Sequence, residues 1–100
     1  MKKGKSAYYN DVADVLKTLA HPERLAILEL LYKNINSHLK VKDIYKKLDV
    51  SQPVASKHLG IMWRSGILKK HHRGTNTAYV ICSDRAEIRR IVKFLFGKTM

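Results

Sequence analysis

The sequence predicts a mainly α-helical single domain with one small β-ribbon. Apolar residues recur at intervals of three and four in several separate windows, the spacing of amphipathic helices. From residue 67 to residue 82 that period gives way to two short runs flanking His72-Arg73-Gly74-Thr75-Asn76, a hairpin signal. A chain of 100 residues supports one hydrophobic core rather than two.

Taken in order, residues 1–7 hold Lys2, Lys3, Gly4 and Lys5 and read as a flexible basic arm, which leaves residues 8–97 as the domain. Val12, Val15, Leu16 and Leu19 set a first helix over about 8–20. Pro22 opens a second, about 22–34. Its fixed φ and missing N–H suit a first helical turn, and Glu23 complements the positive end of the helix. With Leu25, Ile27, Leu28, Leu30 and Leu31, this helix is apolar enough to be central to the core.

Leu39-Lys40-Val41 has the alternation of a very short strand. The helix predicted over 41–48 turns Val41, Ile44, Tyr45 and Leu48 inward and Lys42, Lys46 and Lys47 outward. Asp49 stops it, since Asp tolerates the left-handed backbone that a tight interhelical turn requires. Ser51 is a suitable N-cap for a helix over about 51–64, and Pro53 is acceptable in its first turn. Beyond Ser65-Gly66, strands are expected at about 67–72 and 77–82. Asp84 and Glu87 match a capping box opening a last helix, about 84–96, along which Ile88, Ile91, Val92, Leu95 and Phe96 form one stripe.

Charge narrows the function. Twenty Lys and Arg stand against eight Asp and Glu, a formal net charge of +12, which points to a polyanionic partner. Between Asp49 and Asp84 there is no acidic residue, while Lys57, Arg64, Lys69, Lys70 and Arg73 all fall there. An enzyme is not expected, for no nucleophile–base set or phosphate-binding glycine loop stands out. No apolar run has signal-peptide or membrane-span length, so the expected location is the cytoplasm with no membrane partner. Cys82 is the single cysteine; no intrachain disulfide can form, and a buried strand position suits it better than a redox role.

Helix, helix, short strand, helix, tight turn, helix, ribbon, helix is the outline of a winged helix-turn-helix domain. The segments LAHPERLAILELL (19–31), VKDIYKKLDVSQPVASKHLGIMWRSGIL (41–68) and TAYVI (77–81) resemble the ArsR/SmtB family of transcriptional repressors. The resemblance spans about residues 12–96. It implies a DNA-binding regulator that works as a homodimeric repressor on a pseudo-palindromic duplex operator.

On the helix after Ser51, helical spacing puts Ala55, Leu59 and Met62 on one side and Gln52, Ser56, Lys57 and Gly60 on another, where amide, hydroxyl and ammonium groups can meet base edges and phosphates. By the resemblance, Ser51, Gln52, Ser56, Lys57 and His58 occupy positions that approach DNA. Gln52 and Ser56 are the candidates for base reading and Lys57 for a phosphate. His58, beside Leu59, fits a partly buried hydrogen-bonded role equally well. In the hairpin, Arg73, Thr75 and Asn76 are candidates for minor-groove or phosphate contact. Family wings commonly carry Arg just after the glycine, whereas here Thr75 follows Gly74.

Tyr8, Tyr9, Val12 and Leu16 from the first helix, with Ile88, Ile91, Leu95 and Phe96 from the last, offer apolar surface for a dimer contact. No metal and no cofactor is expected. The family's metal sensors use thiolates near the helix-turn-helix or Asp and His on the last helix, yet residues 40–45 lack cysteine and the last helix lacks histidine. The operator and any effector are not legible. Two other readings share the charge and outline: sequence-nonspecific architectural DNA binding, and a winged helix used as a protein-docking module.

Overall fold

In the computed structural model, which describes residues 3–97 and only the backbone of Lys3 and Arg73, five helices and one antiparallel hairpin make up the fold. They are α1 (Lys3–Leu19), α2 (Pro22–Lys33), α3 (Val41–Leu48), α4 (Gln52–Arg64), β1 (Leu68–Arg73), β2 (Asn76–Ile81) and α5 (Ala86–Phe96). α2 is the hub, packed against α1, α3, α4, α5 and β2. Its Ile27, Leu28 and Leu31 meet Val15 and Leu19 of α1, Ile44 of α3, Leu59 and Met62 of α4, and Ile88 and Val92 of α5 in one continuous core.

Two helices start more than one residue from where the sequence predicts. α1 already begins at Lys3, so the stretch read as a flexible arm is helical from that residue on; it has no proline, and lysine and alanine are good helix formers that outweigh Gly4. Met1 and Lys2 lie outside the described residues. The predicted capping box at α5 does not form: Asp84 is drawn to Lys69 on β1, Glu87 accepts from Arg85 Nε at 2.6 Å, and Arg85 takes the N-cap position without a side-chain cap.

The helix-turn-helix hinge follows local chemistry. Asp49 adopts φ 54°, ψ 47°, and its N–H closes on the last carbonyls of α3. Ser51 Oγ accepts from Val54 N–H at 3.3 Å, capping α4. Behind α4, Gly66 at φ 81° turns the chain into β1, with its N–H on Trp63 O and the Ile67 N–H on Met62 O. Arg85 Nη1 donates to Ser65 O at 3.1 Å across this turn, and a Cβ on Gly66 would stand 2.6 Å from that nitrogen. Gly66→Ala therefore combines a left-handed strain with loss of the Arg85 bond. A destabilisation of about 2 kcal/mol is expected in urea unfolding.

Glu87 supplies a pH-dependent share of stability. A hydrogen bond from its own backbone N–H, opposed by burial and aided by Arg85, holds its carboxyl below the usual carboxylate range. A depressed carboxylate stabilises the fold above its unfolded pKa, and that contribution disappears as pH falls through the lower folded value. Glu87→Gln should lower Tm at pH 7. The gap to wild type should narrow below about pH 4, where the unfolded-state carboxylate protonates before the folded one.

The hairpin pairs Leu68 with Ile81 through Arg73 with Asn76, leaving Gly74-Thr75 as the turn, with Gly74 at φ 60°, where a two-residue hairpin takes glycine. The expected short strand at 39–41 reduces to one bridge, Lys40 to Ala78, which ties the middle of β2 to the start of α3. Cys82, just past β2, is buried.

Candidate nucleic-acid interface

α4 owes its orientation to its apolar side. Ala55, Leu59 and Met62 are fully buried against the core, which turns Gln52, Ser56 and Lys57 to the opposite, exposed side, with Ser51 exposed at the helix start. Thr75 and Asn76 are exposed at the hairpin tip; the Arg73 side chain lies outside the described residues. Helix and hairpin are joined through Ser65-Gly66, and α4 packs against β1, so the two elements are neighbours in the subunit.

His58 does not belong to that surface. It is 6% exposed, turned behind α4 toward α2, where its ring bonds Arg24 and Glu23. Helical geometry explains the correction: His58 falls on the flank shared with Ala55 and Met62, where α2 passes.

Two cations of the acid-free stretch were not among the predicted site residues. Arg64 is exposed, and its guanidinium reaches back over Gly60, since a Cβ added there would lie 3.2 Å from Arg64 Nη1. Its spacing of seven from Lys57 places it on the same side and was the available signal. Lys70 on β1 sits 3.7 Å from the Trp63 ring centroid, an attractive cation–π contact across two elements that no local pattern announces. Lys69 is differently engaged: Asp84 accepts from its ammonium and raises its pKa above the ordinary lysine value.

A sequence profile described as "Bacterial regulatory protein, arsR family" matches residues 21–70, the segment from the cap of α2 into β1. The transcriptional repressor PagR of Bacillus anthracis is 39% identical over 85 residues, 85% of this chain and 81% of that protein. The chain belongs to the arsR family. An uncharacterized HTH-type transcriptional regulator of Methanocaldococcus jannaschii is 36% identical to this arsR-family chain over 87 residues, covering 87% of it and 93% of the relative. The crystal structure of PagR matches this fold with a TM-score of 0.77 at 36% identity, over 90% of this chain and 98% of that one. The homodimeric winged helix-turn-helix DNA-binding domain of a possible ArsR-family regulator from Mycobacterium bovis also matches, with a TM-score of 0.77 at 26% identity over 95% of this chain and 83% of that one. The fold is thus the winged helix-turn-helix of a DNA-binding transcriptional regulator, with α3 and α4 as the two helices and β1–β2 as the wing.

The apolar stripes on the outer helices divide differently from the sequence expectation. Tyr8, Tyr9, Leu16 and Leu95 are exposed, whereas Val12 and Ile91 are half-buried. Ile88 is buried in the subunit core, and Phe96 is drawn inward onto Tyr32 with ring centroids 5.7 Å apart; neither heads an outward stripe, because α5 turns its Ile88–Val92 line directly onto α2. Phe94, absent from the predicted set, is 85% exposed. With Leu16, Leu19, Leu25, Ile91 and Leu95 it borders an apolar groove of about 370 Å³ between α1 and α5. Arg90 Nη1 donates to Tyr8 Oη at 3.3 Å beside it.

Among the described residues, no three His, Cys, Asp or Glu side chains are grouped to hold a metal ion, and no helix is long and apolar enough to cross a membrane.

Proposed function

We propose that this arsR-family protein is a homodimeric repressor that acts in the cytoplasm on a pseudo-palindromic operator. The observation that carries the reading is the outward polar side of α4 next to a wing from a segment with no acidic residue between Asp49 and Asp84. Gln52 and Ser56 read base edges. Ser51, Lys57 and Arg64 meet phosphates at the groove walls, and Arg73, Thr75 and Asn76 of the wing grip the adjoining backbone or minor groove.

A second copy covers the groove bordered by Leu16 and Phe94, with Tyr8, Tyr9, Val12, Ile91 and Leu95 around it. An arsR-family relative is a named repressor and a structural neighbour is homodimeric, which supports both parts of the reading. Twofold symmetry then sets two copies of α4 about one DNA turn apart, roughly 10 base pairs between half-site centres, or a multiple of this.

Selection of bound sequences from a random duplex pool tests the reading. Recovery of an inverted repeat with that spacing is the expected result. Enrichment of no sequence over a salt series would favour architectural binding instead.

A further inference from the structure

Behind the reading helix lies a polar cluster that the DNA contacts do not use. Arg24 Nε donates to His58 Nδ1 at 3.1 Å, and Arg24 Nη1 donates to Thr18 O of α1 at 3.0 Å. His58 Nε2 lies 3.0 Å from Glu23 Oε2. The His21 ring meets that of His58 edge-on, with centroids 4.6 Å apart, and His21 Nδ1 accepts from Glu23 N–H at 3.3 Å to cap α2.

This arrangement fixes protonation states by elimination. A guanidinium only donates, so Nδ1 of His58 must offer a lone pair. The ring proton then sits on Nε2, which donates to Glu23 Oε2, and the neutral imidazole bonds at both nitrogens. Through it, Arg24 spans three elements: the carbonyl end of α1, its own α2, and α4. The remaining neighbours are apolar, with Ile27, Leu48, Val50 and Ala55 lining the cavity beside the ring. His21, Glu23 and Arg24 are the titratable or charged groups facing His58 among the described residues; the end of α3 and the turn after it bring Leu48 and Val50 to the cavity, and β1 brings Lys70 to Trp63 instead.

We propose that Arg24 and His58 are positioning residues that tie the reading helix to α1, and that protonation of His58 unties it, so that operator recognition weakens on acidification. A proton on Nδ1 sets a donor against the Arg24 donor and a second positive charge beside the guanidinium. Arg24 must then withdraw, and α4 loses its link to Thr18 O. Glu23 retains an imidazolium partner, so α2 and α4 stay joined and the subunit stays folded; what is lost is the fixed angle between α4 and the helix proposed to bear the dimer contact.

The inference rests on the DNA-binding reading, and one experiment separates the two. The full chain is titrated with a duplex selected from the random pool and with a random duplex of equal length, at about pH 8 and about pH 5.5, a span over which imidazoles change charge. Acid also alters sequence-independent attraction to the phosphate backbone, which affects both complexes alike, so the ratio of the two affinities is the readout. For wild type the ratio should fall about tenfold in acid. In His58→Asn, whose amide oxygen can accept from Arg24 but cannot protonate, it should hardly change. In Arg24→Gln it should already be low at pH 8 and stay there.

A wild-type ratio that is equal at both pH values overturns the proposal. So does an acid loss that persists in His58→Asn or, should that variant not fold, in Arg24→Gln. A wild-type chain that prefers neither duplex at pH 8 overturns the operator reading, and this inference with it.

Discussion

Lysine in place of both Leu16 and Phe94 should yield a folded monomer whose operator affinity is at least about 100-fold below wild type. Both side chains are more than half exposed in the subunit, so their replacement removes little of its core. Unfolding free energy should change by no more than about 1 kcal/mol. In a twofold contact each substitution appears twice, so four ammonium groups would have to be desolvated against an apolar groove. Once the pair is separated, each α4 binds a half-site alone and the advantage of tethering disappears. Sedimentation velocity reads the oligomeric state and gel shift the affinity. A variant that remains dimeric would place the subunit contact elsewhere on the surface.

The double substitution Gln52→Ala, Lys57→Ala should weaken operator binding by about 3 kcal/mol, somewhat more than 100-fold, while leaving Tm nearly unchanged. Gln52 and Lys57 are exposed and bear no hydrogen bond within the subunit among the described residues, so the fold does not depend on them. The two single variants should differ in kind. Gln52→Ala should relax the preference for one base pair and leave the salt dependence as it is. Lys57→Ala should lower affinity for all sequences alike and reduce the slope of log affinity against log salt by about one. Fluorescence anisotropy over a salt series measures both. Wild-type affinity in the double variant would remove α4 from the interface and favour a protein-docking role for this winged helix.

Much of the fold was legible because its determinants are local. Pro22 at a first turn, Ser51 as a cap, Asp49 in the left-handed region and the Gly74 turn each act within a few residues, and each stands where the sequence put it. One error has the opposite, non-local origin. Asp84 had an equally good partner fifteen residues back on β1, and the capping box lost to it. The arm extends α1 because nothing in residues 3–7 breaks a helix, a point that polarity and charge concealed.

The candidate site divides in the same way. Helical spacing was sufficient to separate Gln52, Ser56 and Lys57 from Ala55, Leu59 and Met62, since the chain's own periodicity decides which side is apolar. It could not place His58, which lies at the border between those sides, nor reveal Arg24 and Glu23 as its partners from 34 and 35 residues away. Nor could it rank the two edges of the α5 stripe, so that Ile88 and Phe96 went inward and Phe94 was left out.

By itself, then, the sequence determined the order and ends of most elements, the basic character of the partner surface, and the polar side of the reading helix, because turns, caps and amphipathic periods are written within one or two helical turns. Only the tertiary structure decided which border residues became core, that a histidine behind α4 would be held between a guanidinium and a carboxylate, and which apolar edge remained uncovered. Those outcomes depend on the angles at which helices distant in sequence cross, and no local pattern specifies them.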